Sequence, residues 1–165
     1  VTGHRRESFG KPFQDICDAL LDIVSAYPQV QIVYPVHLNP HIQEVVNSKM
    51  KGVDSIILIP PVEYPQLVKL LDRCYFVITD SGCIQEEAPA LGKPVLVIRD
   101  VTERTEGIDA GTAILVGTSR EKIVKHARLL LDDQDAYQRM DKAVNPYGDG
   151  ASARNITDVL LNEKL

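Results

Sequence analysis

The chain has 165 residues, 44% hydrophobic and 25% charged, which is the length of one domain and the balance of an ordinary globular one. A net charge of -5 with a pI near 5.3 speaks against a nucleic-acid-binding or anionic-membrane-binding surface. The cysteines (Cys17, Cys74 and Cys83) are too scattered for a metal site or a disulfide framework and fit a reducing cytoplasm, no secretory leader pattern opens the chain, and apolar runs such as residues 55–59 are far too short to span a bilayer.

Val1-Thr2-Gly3-His4 reads as the end of a strand entering a loop, which predicts an upstream half outside this chain. Residues 13–26 then place Phe13, Ile16, Cys17, Leu20, Ile23 and Val24 on one helical face. A strand is expected at 31–36, a helix at 40–50, a strand at 55–59, and a helix at 65–72 with Pro65 in its first turn. A strand at 75–79 leads to a helix over 84–91 that Gly92 ends. Strands follow at 95–98 and 113–116, and Thr118-Ser119-Arg120-Glu121 reads as a capping box opening a helix to about residue 131. Two last helices, near 136–143 and 151–161, flank the loop-like Asn145-Pro146-Tyr147-Gly148-Asp149-Gly150. The strands are short, β-branched and apolar throughout, as strands buried on both faces are. Their alternation with amphipathic helices predicts an α/β fold with an open, doubly wound, Rossmann-like parallel sheet.

Ligands of such sheets bind beyond the carboxyl ends of the strands, so the loops after each strand are the ones to interrogate. They are polar: residues 4–7, 37–39, 80–83 and 99–106. Asp80-Ser81-Gly82-Cys83 runs from a strand into a helix, whose free N–H groups and dipole suit a phosphate. Gly82 allows close backbone approach, Ser81 offers a hydroxyl, and Glu87 lies a turn further on, within reach of ribose hydroxyls. An ordinary capped helix, with Asp80 or Ser81 as N-cap and Glu86 and Glu87 beside the dipole, has the same sequence. His4, Arg5 and Arg6 put an imidazole and two guanidinium groups at one strand end, and Arg104 lies one strand along from the Ser-Gly turn. Each of these loops also reads as solvated surface with internal ion pairs, and Asn39 as the cap of the helix that Pro40 starts, with His37 simply packed nearby. Cys83 sits where a helix dipole favours thiolate, yet no histidine pairs with it in sequence, so it reads as a small filler. No metal cluster, P-loop or complete Gly-x-Gly-x-x-Gly fingerprint is present.

Together the loops resemble those of the non-hydrolysing UDP-N-acetylglucosamine 2-epimerases. The matching strings are Thr2-Gly-His-Arg-Arg-Glu7, Tyr34-Pro-Val-His-Leu-Asn-Pro40, Thr79-Asp-Ser-Gly82, Ile84-Gln-Glu-Glu-Ala-Pro89, Leu91-Gly-Lys-Pro-Val-Leu-Val97, Arg99-Asp100, Thr102-Glu-Arg104, Glu106-Gly107, Ala110-Gly-Thr112 and Asn145-Pro-Tyr-Gly-Asp-Gly150, in family order along nearly the whole chain. The resemblance implies one half of a two-domain, glycosyltransferase-B-like fold, with residues 1–165 as the C-terminal UDP-binding domain and the N-terminal domain lying outside the chain. It implies interconversion of UDP-N-acetylglucosamine and UDP-N-acetylmannosamine through a 2-acetamidoglucal, for bacterial surface polysaccharide, with neither metal nor nicotinamide. By the same resemblance Ser81, Gly82 and the amide of Cys83 hold the diphosphate and Glu87 the ribose. His4, as catalytic residue, and Arg104 face the phosphates and the reacting sugar, while Arg5 and His37 help bind a second, regulatory UDP-N-acetylglucosamine. The full-length protein is expected to be a homodimer, and the isolated domain to bind UDP weakly without turning over. The sequence departs from the family pattern at Cys83, where a glycine is usual, at Ser8 for asparagine, at Thr105 for proline, and over residues 61–67, where other members contact the uridine. Two other readings stand beside this one: the nucleotide-binding half of a UDP-sugar glycosyltransferase, and a non-catalytic remnant module.

Overall fold

The five apolar runs become β1 (Ile32–Pro35), β2 (Ile56–Ile59), β3 (Val77–Thr79), β4 (Val95–Val97) and β5 (Ala113–Leu115) in a computed structural model that describes residues 1–162. Every pairing is parallel, with Ile32 opposite Ile56, Val77 opposite Val95, and Val95 opposite Ala113. The expected single open sheet forms as two ladders, β1-β2 and β3-β4-β5. Residues 1–3 lie at the seam between them. The backbone nitrogen of Val1 donates to the Val33 carbonyl at 2.8 Å, Thr2 N donates to the Ile78 carbonyl at 2.9 Å, and Thr2 makes an isolated parallel bridge with Thr79. The spatial order is therefore β2, β1, residues 1–3, β3, β4, β5. The chain winds outward from the seam first one way and then the other, so the loops after Gly3 and after Thr79 meet at a topological switch point, the usual ligand crevice of such sheets.

Alternation along the strands explains the two faces. Ile78, Leu96 and Ile98 join a cluster with Phe13, Ile16, Leu20 and Ile23 of α1 (Lys11–Ala26) and with Ile123 and Leu130 of α6 (Arg120–Asp132). Val77, Val95, Val97 and Ala113 point the other way, onto Leu71 of α3 (Tyr64–Arg73) and onto Ile84 and Ala88 of α4 (Gly82–Ala90). The sheet is thus covered on both sides, as its continuous apolar strands require. The β1-β2 side is closed by Ile42, Val46 and Met50 of α2 (Pro40–Met50), which Asn39 caps by accepting from His41 N. A cavity of about 510 Å³, lined by Val30, Leu67, Leu71, Phe76 and Ile78 among others, lies along the seam.

Two local expectations shift. Ser119, not Thr118, caps α6: its hydroxyl accepts from Lys122 N and donates to Glu121, so the four-residue box is displaced by one. The loop expected over 99–106 contains a short helix, α5 (Thr105–Asp109). After α7 (Gln134–Asp141), the terminal α8 (Ser152–Asn162) has no buried residue. Among the described residues no helix is long and apolar enough to cross a membrane.

Candidate functional site

The His4 loop is organised by a carboxylate that the sequence offered only as a helix cap. Asp80 leaves β3 almost fully buried and does not cap α4. Its Oδ2 accepts from the backbone N–H groups of His4 at 2.6 Å and Arg5 at 2.7 Å, while Oδ1 lies 3.1 Å from His4 Nδ1. The contact with Asp80 raises the His4 pKa above the ordinary imidazole value, against an opposing effect of burial. Burial pushes the Asp80 carboxyl up, but His4 and the two amides outweigh it and leave the carboxyl below its usual value. The His37 ring stacks on that of His4, 5.3 Å between centroids and 13° from parallel. His37 Nδ1 accepts from Asn39 N at 3.1 Å, which places the proton of the neutral ring on Nε2. Arg5, next to His4 in the chain, binds Asp80 through its backbone N–H and makes no side-chain hydrogen bond or ion pair among the described residues. Glu7 is claimed by Arg99, which also binds Glu103 through both terminal nitrogens. The loop is therefore not a set of local Arg–Glu pairs.

The second component is the start of α4. Ser81 occupies the N-cap position but makes no side-chain cap bond. The first intrahelical bond is Gln85 N to the Ser81 carbonyl, so the amides of residues 82–84 have no intrahelical acceptor. A Cβ at Gly82 would lie 3.6 Å from the Arg104 guanidinium, so this cation hangs directly over the helix start. Arg104 Nε donates to Glu86 Oε1 at 2.6 Å. The backbone of Arg104 is tied to the same helix through a buried relay: Arg104 N donates to Thr102 Oγ1 at 3.1 Å, and Thr102 donates to Gln85 Oε1 at 2.7 Å. Cys83 is exposed at the rim, and Glu87 is half-buried one position beyond Glu86.

Ser81, Gly82, Cys83 and Arg104 thus lie around one helix terminus, with Glu87 a turn along the same helix, and His4, Arg5 and His37 form a second group joined to the first through Asp80. The reading from sequence missed the clamp by Asp80 and the Gln85–Thr102 relay. An Asp after a strand and before a helix is indistinguishable from a cap in sequence, and the relay joins residues 17 positions apart. Free amides, a helix dipole and a guanidinium converging on one point can bind an anion and stabilise charge that develops there. Among the described residues no three His, Cys, Asp or Glu side chains come together as a metal site.

A family model described as UDP-N-acetylglucosamine 2-epimerase matches residues 1–161. The UDP-N-acetylglucosamine 2-epimerase of Yersinia pestis is 55% identical over all 165 residues, which span 44% of that protein. Among solved structures, a UDP-N-acetylglucosamine 2-epimerase from Listeria monocytogenes superposes with a TM-score of 0.92 at 43% identity, covering 99% of this chain and 44% of that one. The UDP-GlcNAc 2-epimerase of Neisseria meningitidis bound to UDP-GlcNAc does so with a TM-score of 0.92 at 40% identity, covering 98% and 44%. The chain thus spans less than half the length of each of these relatives.

Proposed function

The chain belongs to the UDP-N-acetylglucosamine 2-epimerase family, and from that premise we propose that it is the C-terminal, UDP-binding domain of a non-hydrolysing epimerase that interconverts UDP-N-acetylglucosamine and UDP-N-acetylmannosamine. The observation that carries the reading is the Arg104 guanidinium poised 3.6 Å from where a side chain on Gly82 would begin, above three amides without intrahelical acceptors. A diphosphate placed there receives the Ser81 hydroxyl, the amides of Gly82 and Cys83, and the cation of Arg104. Glu87 takes the ribose hydroxyls. The relative from Neisseria meningitidis is bound to UDP-GlcNAc, in keeping with a nucleotide-sugar ligand. The family match over residues 1–161 favours this reading over a glycosyltransferase half.

In this reading the C2 proton passes to a base, the electron pair forms a C1–C2 double bond, and the C1–O bond breaks to release UDP and 2-acetamidoglucal. UDP adds back after C2 is protonated on the opposite face. The departing diphosphate gains negative charge, which the α4 amides and Arg104 are placed to stabilise. His4, kept cationic to higher pH by Asp80, faces the phosphates and the reacting sugar. The proton-transferring carboxylates belong to an N-terminal domain outside residues 1–165, and the chain alone does not epimerise. Arg5 and His37 border a second, regulatory nucleotide-sugar site. The full-length enzyme is a homodimer serving surface-polysaccharide synthesis in the cytoplasm of a bacterium.

Titration of the chain with UDP, followed by NMR, tests the core of this proposal. A half-built site should bind with a Kd of about 0.1–1 mM, with amide shifts concentrated between Ser81 and Glu87. An unchanged spectrum at high-millimolar UDP would overturn it. Conversion of UDP-N-acetylglucosamine by the chain alone would overturn the dependence on a second domain.

A further inference from the structure

The loop Asn145-Pro146-Tyr147-Gly148-Asp149-Gly150 has no part in the chemistry above, yet its tyrosine reaches the phosphate side of the sheet. The Tyr147 hydroxyl accepts from Gly107 N at 3.0 Å and donates to the Arg104 carbonyl at 3.4 Å. Both hydrogen-bonding functions of the phenol are thus spent on backbone at the start of α5. The loop braces itself for this: Asn145 Oδ1 accepts from Tyr147 N at 3.2 Å, and Asn145 Nδ2 donates to the Gly148 carbonyl at 3.1 Å. The absence of a side chain at residue 107 makes the room, since a Cβ there would stand 2.7 Å from the Tyr147 oxygen.

The arrangement answers a specific deficiency. Arg104 is the N-cap of α5 and makes no side-chain cap bond. An arginine carries donors only, so it cannot satisfy the orphan amides of the first turn as Ser, Asp or Asn does. A helix of five residues does not hold itself together in water. Tyr147 supplies the missing acceptor from 40 residues away, and the Arg104 side chain is left to turn toward α4, where Glu86 receives its Nε. The Arg104 backbone is therefore held on both sides, by Thr102 at its N–H and by Tyr147 at its carbonyl.

We propose that Tyr147 is a positioning residue: its hydroxyl caps α5 in place of Arg104 and fixes the backbone from which the Arg104 guanidinium is suspended over Gly82. It touches no ligand and acts through Arg104. The functional consequence rests on the reading of Arg104 as a diphosphate ligand, and the geometry does not.

The test uses the 165-residue chain with Tyr147→Phe and, independently, Gly107→Ala, whose methyl group displaces the phenol. Circular dichroism should stay at the wild-type level, because neither site is part of either core cluster. In nitrogen-15 spectra the Gly107 amide and the Arg104 Nε–H signals should shift and broaden in both variants. UDP affinity should fall about five- to tenfold, the loss of one or two hydrogen bonds, and should fall no further when Tyr147→Phe is added to Arg104→Ala. Unchanged Gly107 and Arg104 Nε–H signals in Tyr147→Phe would overturn the proposal. So would a loss of UDP affinity that is equal with and without Arg104, because Tyr147 would then act by another route. If the wild-type chain fails to bind UDP, the functional reading falls, and the positioning role stands or falls on the two NMR signals alone.

Discussion

Arg104 Nε donates to Glu86 Oε1 at 2.6 Å, so the cation above the start of α4 is already neutralised by a carboxylate of that same helix. In the proposed function, a diphosphate arriving at Gly82 would compete with Glu86 for the guanidinium. Both partners are partly exposed, so the pair itself adds little to stability. Glu86→Gln keeps an acceptor for Nε and removes the competing charge. UDP is expected to bind about two- to fivefold tighter, a gain of under ~1 kcal/mol, with a thermal midpoint close to wild type. Isothermal titration at two salt concentrations measures it, and weaker binding would show that Glu86 positions Arg104 more than it competes.

The contact between His4 and Asp80 has a defined pH window. The folded pKa of His4 lies above 6.5, so its contribution to stability is complete below 6.5 and is lost as pH rises through the folded value. The folded pKa of Asp80 lies below 3.8, so its contribution is present above 3.8 and is lost as pH falls through the folded value. The pair is therefore strongest between about 4 and 6.5. The ring signals of His4 report this window directly. Asp80→Asn should bring the His4 titration down toward its ordinary value and cost about 1–3 kcal/mol by weakening the acceptor that holds two backbone amides. An unmoved His4 titration would refute the pairing.

The cysteines should separate by reactivity. Cys17 is buried, and burial pushes its thiol up to about 12. Cys74 is half-buried and its thiol is also raised, chiefly by burial. Cys83 is exposed at the start of α4. Brief treatment with iodoacetamide should alkylate Cys83 first, and millimolar UDP should slow that reaction by occupying the adjacent amides. Mass spectrometry of the modified peptide reads both effects. Equal labelling with and without UDP would place the nucleotide elsewhere.

Gly92 closes α4 with φ +66°, and a Cβ there would stand 2.8 Å from Asp141 Oδ1. Gly92→Ala combines the cost of a left-handed residue with displacement of Asp141, so a loss of about 1–3 kcal/mol is expected. Denaturant unfolding measures it. A neutral result would mean that the turn re-forms in another conformation.

The strands and long helices were legible because burial imposes a period on them, as in α1, where each apolar residue picked out by spacing is buried. The polar strand ends were legible for the same reason, since a loop after a buried strand has no need of His4 or Arg104 for packing. The short α5 was not: five residues carry no period, and what stabilises them is a phenol from a distant loop. The role of Asp80 was hidden because its partners, His4 and Arg5, lie 75 residues or more away in sequence. The split of the sheet was hidden as well, because apolar strands look alike whether or not a neighbour pairs along their whole length.

Strands β3 and β4 are three residues long, yet each serves two cores: Ile78 and Leu96 belong to one, Val77, Val95 and Val97 to the other. Neither layer can melt while the other persists, because the peptide planes that hold one set of side chains also aim the opposite set. The layers form a single cooperative unit, which should unfold in one transition with coincident midpoints by near-ultraviolet and far-ultraviolet dichroism. The crevice loops depend on that unit for their spacing, so the UDP affinity proposed for them should vanish with it at the same temperature.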